Sequence, residues 1–186
     1  MSLLWRLFAD CISFLIRMAR EEGPMITRLT LHTGANSLGE IEKLLKHQSA
    51  GREGVTIDVA QIERALSNPH FYLYVAEVEC NGEKRYAGMA SVFIQHNVVR
   101  TIAEVHDVVS SPEFRRQGFA RKLMEKIHAT VQTYADEFQQ PIKIYLTSRP
   151  ERVEANLLYQ KLGYTLVARA AGEWGTNLYN MVISPR

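Results

Sequence analysis

Cysteine is scarce in this sequence of 186 residues, which contains only Cys11 and Cys80. The two lie far apart, and neither belongs to a Cys-x-x-Cys pair or to a Cys/His spacing that would bind zinc. The sequence therefore indicates neither a disulfide framework nor a zinc site, and we expect no bound metal. Free cysteines are typical of a reducing compartment, so the cytoplasm is the expected location.

An excess of charge of either sign is also missing. The 22 Lys and Arg residues nearly balance the 20 Asp and Glu residues, for a formal net charge of +2. Nucleic-acid-binding domains usually carry dense basic patches, so we expect no nucleic-acid partner, and an anionic ligand has to be bound by a local site. Hydrophobic residues make up 46% and charged residues 23%, the ordinary mixture of a globular domain. The length suits one compact domain.

No apolar run is long enough to span a membrane. The most apolar stretch lies within residues 1–24 and is interrupted by charged residues such as Asp10. A span needs roughly 20 mostly uncharged residues, and Asp10 also breaks the short apolar core of a signal peptide. We interpret residues 1–24 as an amphipathic helical extension and residues 25–186 as the domain itself. The extension could pack on the domain or on a second subunit of a homodimer, lie at a membrane surface, or precede a true start at Met25.

After the extension, the spacing of apolar residues alternates between that of strands and that of helices. Strands are predicted at 26–31, 71–80, 85–95, 101–109, 142–147, 164–169 and 176–183, and helices at 37–47, directly after Asp58, at 118–134 and at 152–162. Asn81-Gly82 is typical of a tight hairpin turn between two of these strands. The pattern predicts a single α/β (α+β) domain built around a mixed sheet.

The junction between the strand at 101–109 and the next helix has the features of an anion site. Arg115-Arg116-Gln117-Gly118-Phe119-Ala120 opens this helix, whose apolar stripe starts at Ala120. The helix must therefore begin near Gly118, and its first amides lack acceptors. Glycine permits close approach of a ligand to the backbone, and the helix dipole favours negative charge. A diphosphate would satisfy these groups, but an ordinary turn with a solvated basic face fits the same residues.

Two segments carry a resemblance to a known family. Arg115-x-x-Gly118-x-Ala120 resembles the Arg/Gln-x-x-Gly-x-Gly/Ala signature of the GNAT superfamily of N-acetyltransferases. Residues 155–164, with Ala155, Tyr159, Gly163 and Tyr164, are similar to the family's Ala-x-x-x-Tyr-x-x-x-Gly-Phe/Tyr segment. The order of elements from Met25 to Ile183 is also that of the family. The resemblance implies a mostly antiparallel sheet of about six to seven strands, flanked by helices and splayed at an acyl-CoA site.

The resemblance also implies acetyl-CoA as the acyl donor and names the residues that bind it. In the family, the strand before the loop pairs with the pantetheine arm, and the loop amides bind the pyrophosphate. The residues so implied are Val108, Val109, Ser110, Arg115, Arg116, Gln117, Gly118, Phe119, Ala120 and Arg121. Many relatives carry an asparagine seven residues before the tyrosine. This chain has Arg152 there, so the contacts of that asparagine cannot be transferred.

Catalysis of amine acetylation requires a base for the ammonium proton and an acid for the departing thiolate. Glu104, His106 and Asp107 are the candidate bases, and solvated charges on an open face are the alternative interpretation. The resemblance favours Glu104, which stands about where the family's histone acetyltransferases carry their catalytic glutamate. It also implies that Tyr159 donates the proton to the thiolate. Helical spacing within residues 155–162 would equally place Tyr159 on a buried face.

The activity implied by the resemblance is transfer of an acetyl group from acetyl-CoA to a primary amine by direct attack. The acceptor is a small molecule, a peptide or a protein, and the family pattern places it between Ser49–Thr56 and Ala170–Asn177. Glu173 and Trp174 could contact an amine there by charge and cation–π interaction. The alternative function is a catalytically silent acyl-CoA-binding sensor or assembly module with the same fold.

Overall fold

The computed structural model describes residues 25–31, 37–48, 58–170 and 175–186. Three predicted features lie outside the described residues: the extension at 1–24, the whole of the acceptor loop at 49–56, and the pair Glu173 and Trp174. The elements in order are β1 Met25–Arg28, α1 Leu38–Gln48, α2 Val59–Ser67, β2 Phe71–Cys80, β3 Glu83–His96, β4 Thr101–Ser110, a 3-10 turn Pro112–Phe114, α3 Phe119–Phe138, β5 Ile142–Ser148, α4 Val153–Lys161, β6 Thr165–Ala168 and β7 Asn177–Ile183.

The seven strands form one sheet in the order β1-β2-β3-β4-β5-β7-β6. Every neighbouring pair is antiparallel except β4 and β5, which run parallel. Parallel neighbours need a long crossover, and α3 supplies it. The predicted fold class, a mixed and mostly antiparallel sheet flanked by helices, is confirmed.

Helices cover both faces of the sheet. On one face α3 contributes the fully buried Leu123, Met124, Ile127, Val131 and Ala135, which pack on β3, β4 and β5. On the other face Ile41 and Leu44 of α1 pack with side chains of β2 and β3. The helix α3 extends to Phe138, four residues beyond its predicted end, because Ala135 continues the buried stripe by one more turn.

The hairpin between β2 and β3 is tighter than predicted. Asn81 and Gly82 have φ of +54° and +78°, so both central residues are left-handed, as a two-residue hairpin loop of type I′ requires. The β2–β3 ladder consequently runs up to the pair Cys80–Glu83, and β3 begins two residues before the predicted position.

The parallel ladder between β4 and β5 is short, and its end produces the predicted splay. Ile102 to Val105 pair with Lys143 to Leu146, and no further pairs follow. Beyond this point β4 continues along β3 to Ser110, while β5 continues along β7 to Ser148. The two strands therefore diverge, and the edge of β4 from residue 106 to 110 has no strand beside it on the β5 side.

None of the helices in the described part of the chain is both long and apolar enough to cross a membrane.

Candidate functional site

A groove of about 610 Å³ opens where β4 and β5 separate. Its walls are the end of β4, the loop leading into α3, and the first turns of α4. Nine of the ten residues that the sequence predicted for cofactor binding line it: Val108, Val109, Ser110, Arg115, Arg116, Gly118, Phe119, Ala120 and Arg121. Gln117 lies between them in the same loop and is exposed. We refer to this space as the splay groove.

The β4 wall of the splay groove presents mainly backbone. Val109 is 8% exposed and belongs to the core beneath α1, whereas Val108 packs against the core beneath α3. Since these side chains are used for packing, the N–H and C=O groups are what β4 offers to a ligand. Gly88 on β3 allows the strands to approach here, because a Cβ at this position would lie 2.7 Å from the carbonyl oxygen of Val109.

The N-terminus of α3 forms a second wall and is not capped by a side chain. Gly118 is its N-cap residue, with φ of +84°, and its carbonyl accepts from the amide of Lys122 at 3.1 Å. The amides of Phe119, Ala120 and Arg121 therefore have no acceptor within the helix. The ring of Phe119 is buried and meets Phe114 at 6.3 Å between centroids, which fixes the position of this first turn.

Arginine side chains outnumber carboxylates around these amides, although Glu151 and Glu154 also line the splay groove. Arg115, Arg116, Arg121 and Arg152 all line the splay groove. The guanidinium of Arg116 lies 3.4 Å from the carboxylate of Glu154 on α4, and that of Arg121 lies 3.3 Å from Glu125. Both pairs are well exposed, and such pairs contribute at most about 1 kcal/mol, so they can yield to a stronger anion. The unpaired helix amides and the guanidinium groups together fit a diphosphate.

The third wall is α4, the helix that contains Tyr159. Ala155 and Leu158 line the splay groove, whereas Tyr159 is 3% exposed and packs between Tyr164 and Tyr179, at 6.1 and 5.9 Å between ring centroids. Burial raises the pKa of Tyr159 to about 12, against the opposing charge of Arg152. A tyrosine phenol keeps its proton at neutral pH with or without this shift, which makes Tyr159 a weaker acid.

Asn156 has a structural role that sequence reasoning missed. Its side chain is buried, and its Nδ2 donates to the carbonyl oxygens of Arg149 and Pro150 at 2.9 and 3.3 Å. These bonds fix the turn between β5 and α4, and hence the position of the third wall. The spacing of three residues between Asn156 and Tyr159, which places both on one side of a helix, was the available signal.

A smaller cavity of about 360 Å³ lies on the sheet face opposite α3. Ala103 and Val105 point into the core beneath α3, so alternation along β4 directs Glu104 to the other face, where Glu104 and His106 both line this cavity. The Nε2 atom of His106 lies 3.5 Å from Oε2 of Glu104, and both side chains are partly exposed. We refer to this space as the open-face cavity.

The three candidate bases are thus separated by the structure. Glu104 and His106 come together, but Asp107 occupies a bulge where the β3–β4 register shifts, with φ of +52°. Its carboxylate accepts a hydrogen bond from the hydroxyl of Ser91. Within the described ranges no group of three or more His, Cys, Asp or Glu side chains is arranged to bind a metal ion.

Comparison with known proteins agrees with this geometry. The family model for an acetyltransferase (GNAT) domain matches residues 68–166, more than half of the chain. The chain belongs to the GNAT family of acetyltransferases. Its activity class is accordingly that of an acyltransferase. A comparison with curated protein sequences gives no significant match.

Solved structures share the fold at low sequence identity. A GNAT-family acetyltransferase from Streptococcus pneumoniae has a TM-score of 0.66 at 16% identity, over 86% of this chain and 99% of that one. An aminoglycoside acetyltransferase from an uncultured soil sample, in complex with sisomicin, has a TM-score of 0.64 at 15% identity, over 83% and 96%. The ribosomal-protein-S18-alanine N-acetyltransferase of Escherichia coli has a TM-score of 0.58 at 15% identity, over 87% and 95%.

Proposed function

We propose that this GNAT protein transfers an acetyl group from acetyl-CoA to a primary amine of a small molecule, a peptide or a protein, by direct attack of the amine. One observation carries the proposal. The strand that presents Glu104 and His106 in the open-face cavity continues directly into the splay groove, where its backbone meets the uncapped N-terminus of α3. A proton acceptor and an anion site are thus held by one rigid element.

The splay groove is the proposed acetyl-CoA site. The amides of Phe119, Ala120 and Arg121 and the guanidinium of Arg115 would hold the pyrophosphate, and the backbone of residues 108–110 would pair with the pantetheine arm. When bound, acetyl-CoA supplies an acyl group activated as a thioester. Binding it beside β4 holds the acyl donor close to an amine in a fixed orientation, which lowers the entropic part of the activation barrier.

Glu104 is the proposed base, and His106 is its partner. An amine enters at neutral pH mostly as an ammonium ion, which has no lone pair with which to attack. Removing its proton requires a positioned acceptor, and Glu104 projects from β4 into the open-face cavity. With 3.5 Å between Nε2 of His106 and Oε2 of Glu104, the imidazole can pass the proton on to solvent.

Tyr159 is the proposed proton donor to the leaving thiolate. Its hydroxyl carries a proton at neutral pH, as a tyrosine ordinarily does, and its ring is fixed between Tyr164 and Tyr179. We assign residues 25–186 to the acetyltransferase domain, because the strands of the sheet begin at Met25 and end at Ile183.

Two measurements test the function. Titration calorimetry with coenzyme A should give one binding site per chain, and acetyl-CoA should release its thiol in proportion to added amine. The amine panel includes small primary amines and peptides with free amino termini. Binding of coenzyme A without amine-dependent thiol release from any member would contradict the proposal and support the silent sensor module instead.

A further inference from the structure

The open-face cavity carries charge of both signs at defined positions. Among the described residues that line it, Glu104 is the only carboxylate and Arg100 is a permanent cation. Lys143 stands at the edge of the same face, because it pairs with Ile102, two residues before the pair Glu104–Tyr145. The alternation that points Ile144 into the core beneath α3 directs Lys143 and Tyr145 to this side.

The ammonium group of Lys143 lies near the ring of Tyr145 on the same strand. Its Nζ lies 6.0 Å from the centroid of the Tyr145 ring, and Tyr145 is the residue directly beside Glu104. Successive residues on one face of a strand are about 6.6 Å apart. Lys143 lies two residues back on the neighbouring strand, and strands are about 4.8 Å apart, so its Cα is about 8 Å from that of Glu104. The face therefore presents a carboxylate and, on the order of 8 Å away, a cation, with Arg100 contributing a second cation at the cavity wall.

This arrangement selects among amines. An ammonium group beside Glu104 is stabilised by the carboxylate, but a second ammonium group about 8 Å away would face Lys143 and Arg100, and like charges there repel. An anionic group at the same distance is stabilised by both cations. We propose that the acceptor is an amine that carries a carboxylate or another anionic group about 6–8 Å from the reacting nitrogen. This inference rests on the proposed acetyltransfer to amines.

Two matched sets of acceptors test the inference. The first set has a four-carbon chain with three different ends: 4-aminobutanoate, butylamine and butane-1,4-diamine. The second set has amidated tripeptides with aspartate, asparagine or lysine after the first residue: Ala-Asp-Ala, Ala-Asn-Ala and Ala-Lys-Ala. Within each set the same amine is present at one end, and the charge at a distance changes. Because butane-1,4-diamine has two equivalent amines its rate is counted per amine, and mass spectrometry separates acetylation of the lysine side chain from that of the amino terminus. Rates are measured as kcat/KM with saturating acetyl-CoA.

We expect the anionic member of an accepted set to exceed the neutral one by about tenfold in kcat/KM and the cationic one by more, with the differences shrinking as salt is added. Equal rates within the sets, or a preference for the neutral or cationic member, would overturn the inference and leave the proposed acetyltransfer intact. Absence of thiol release with every acceptor would contradict both.

Charge-reversal variants identify the residues responsible. Lys143→Glu should abolish the preference for 4-aminobutanoate and raise the relative rate of the diamine, and Arg100→Glu should act in the same direction. Lys126→Glu is the matched control, because Lys126 on α3 lies 5.9 Å from the ring centroid of Tyr74 on the opposite face of the sheet. An unchanged order of acceptors in Lys143→Glu and Arg100→Glu would contradict the assignment. Lys143→Gln gives the same test without reversed charge.

Discussion

The carboxylate of Asp107 accepts a hydrogen bond from Ser91, with 3.1 Å between Oγ and Oδ2. Ser91 is fully buried on β3, and Asp107 sits in the bulge of β4 with a left-handed backbone. A carboxylate used in this way stabilises the bulge and thereby the direction in which β4 enters the splay groove. Of the three acidic or basic side chains near this point of β4, Glu104 and His106 are left to act on a substrate.

Glu104→Gln should lower kcat by about 100-fold, because the amide cannot accept the ammonium proton while its shape is preserved. Affinity for coenzyme A should stay unchanged, since Glu104 lines the open-face cavity and not the splay groove. Asp107→Asn is the control, because asparagine tolerates the left-handed backbone and keeps an acceptor for Ser91. A large fall in kcat for Asp107→Asn, together with a nearly normal kcat for Glu104→Gln, would mean that Asp107 and not Glu104 is the base.

Tyr159→Phe should lower kcat by more than tenfold at unchanged affinity for coenzyme A, because the proposed proton donor to the thiolate is lost. Tyr164→Phe is the matched variant. Its hydroxyl pairs with Nε2 of His128 at 3.0 Å, so its removal should cost about 1 kcal/mol in free energy of unfolding without affecting kcat. Equal kcat values for Tyr159→Phe and the unmodified protein would exclude Tyr159 as the donor.

Gly118→Glu should abolish binding of coenzyme A, measured by titration calorimetry. It places bulk and negative charge beside the uncapped amides of α3, at a backbone φ of +84°. Gly118→Asn tests the conformation alone, since asparagine adopts the left-handed region more readily than other side chains, and it should retain most of the affinity. Undiminished affinity in Gly118→Glu would move the pyrophosphate away from this helix.

Gly88→Ala should destabilise the protein by about 1–3 kcal/mol and weaken coenzyme A binding. The added Cβ would lie 2.7 Å from the carbonyl oxygen of Val109, so β4 has to shift where it lines the splay groove. Gly39→Ala is the same substitution in α1, where nothing lies within 4 Å of the added atom. It should stabilise the protein by about 0.5–1 kcal/mol. Urea unfolding measures the free energy of unfolding of both variants. Equal changes in this free energy would contradict the close approach of Gly88 to the Val109 carbonyl.

His128 predicts a loss of stability in acid. Burial lowers the pKa of His128 in the folded protein, so the unfolded chain takes up this proton first as the pH falls. The contribution of neutral His128 to the free energy of unfolding is fully present above the pKa of the unfolded chain, about 6.5. It is lost as the pH falls from there through the pKa of the folded protein. The loss of unfolding free energy between about pH 7.5 and about pH 5 should be smaller in His128→Phe. The exposed His47→Gln variant controls for removal of an imidazole, and an undiminished loss in His128→Phe would contradict the prediction.

Local patterns predicted most of the fold, because apolar spacing depends on neighbouring residues alone. The stripe from Leu123 to Val131 and the Asn81-Gly82 turn are of this kind. The loop at Arg115 to Ala120 could be recognised from its position between a strand and a helix. The site depends on longer-range packing. The bulge at Asp107 arises from a register shift against β3, and the pairing of Arg116 with Glu154 joins residues far apart in sequence. Neither leaves a signal in a single sequence.

The splay also exposes an unpaired length of β4 backbone. A free strand edge is a template on which other chains can add strands and aggregate, and proteins usually protect such edges. Here the open edge at residues 106–110 lies in the middle of the sheet, flanked by α3 and by the start of α4, and not at its rim. A narrow ligand arm can reach it, whereas the sheet of another molecule is too wide. The gap that is proposed to bind a cofactor is therefore too narrow for strands of other molecules, which would otherwise pair with the open edge and start aggregation.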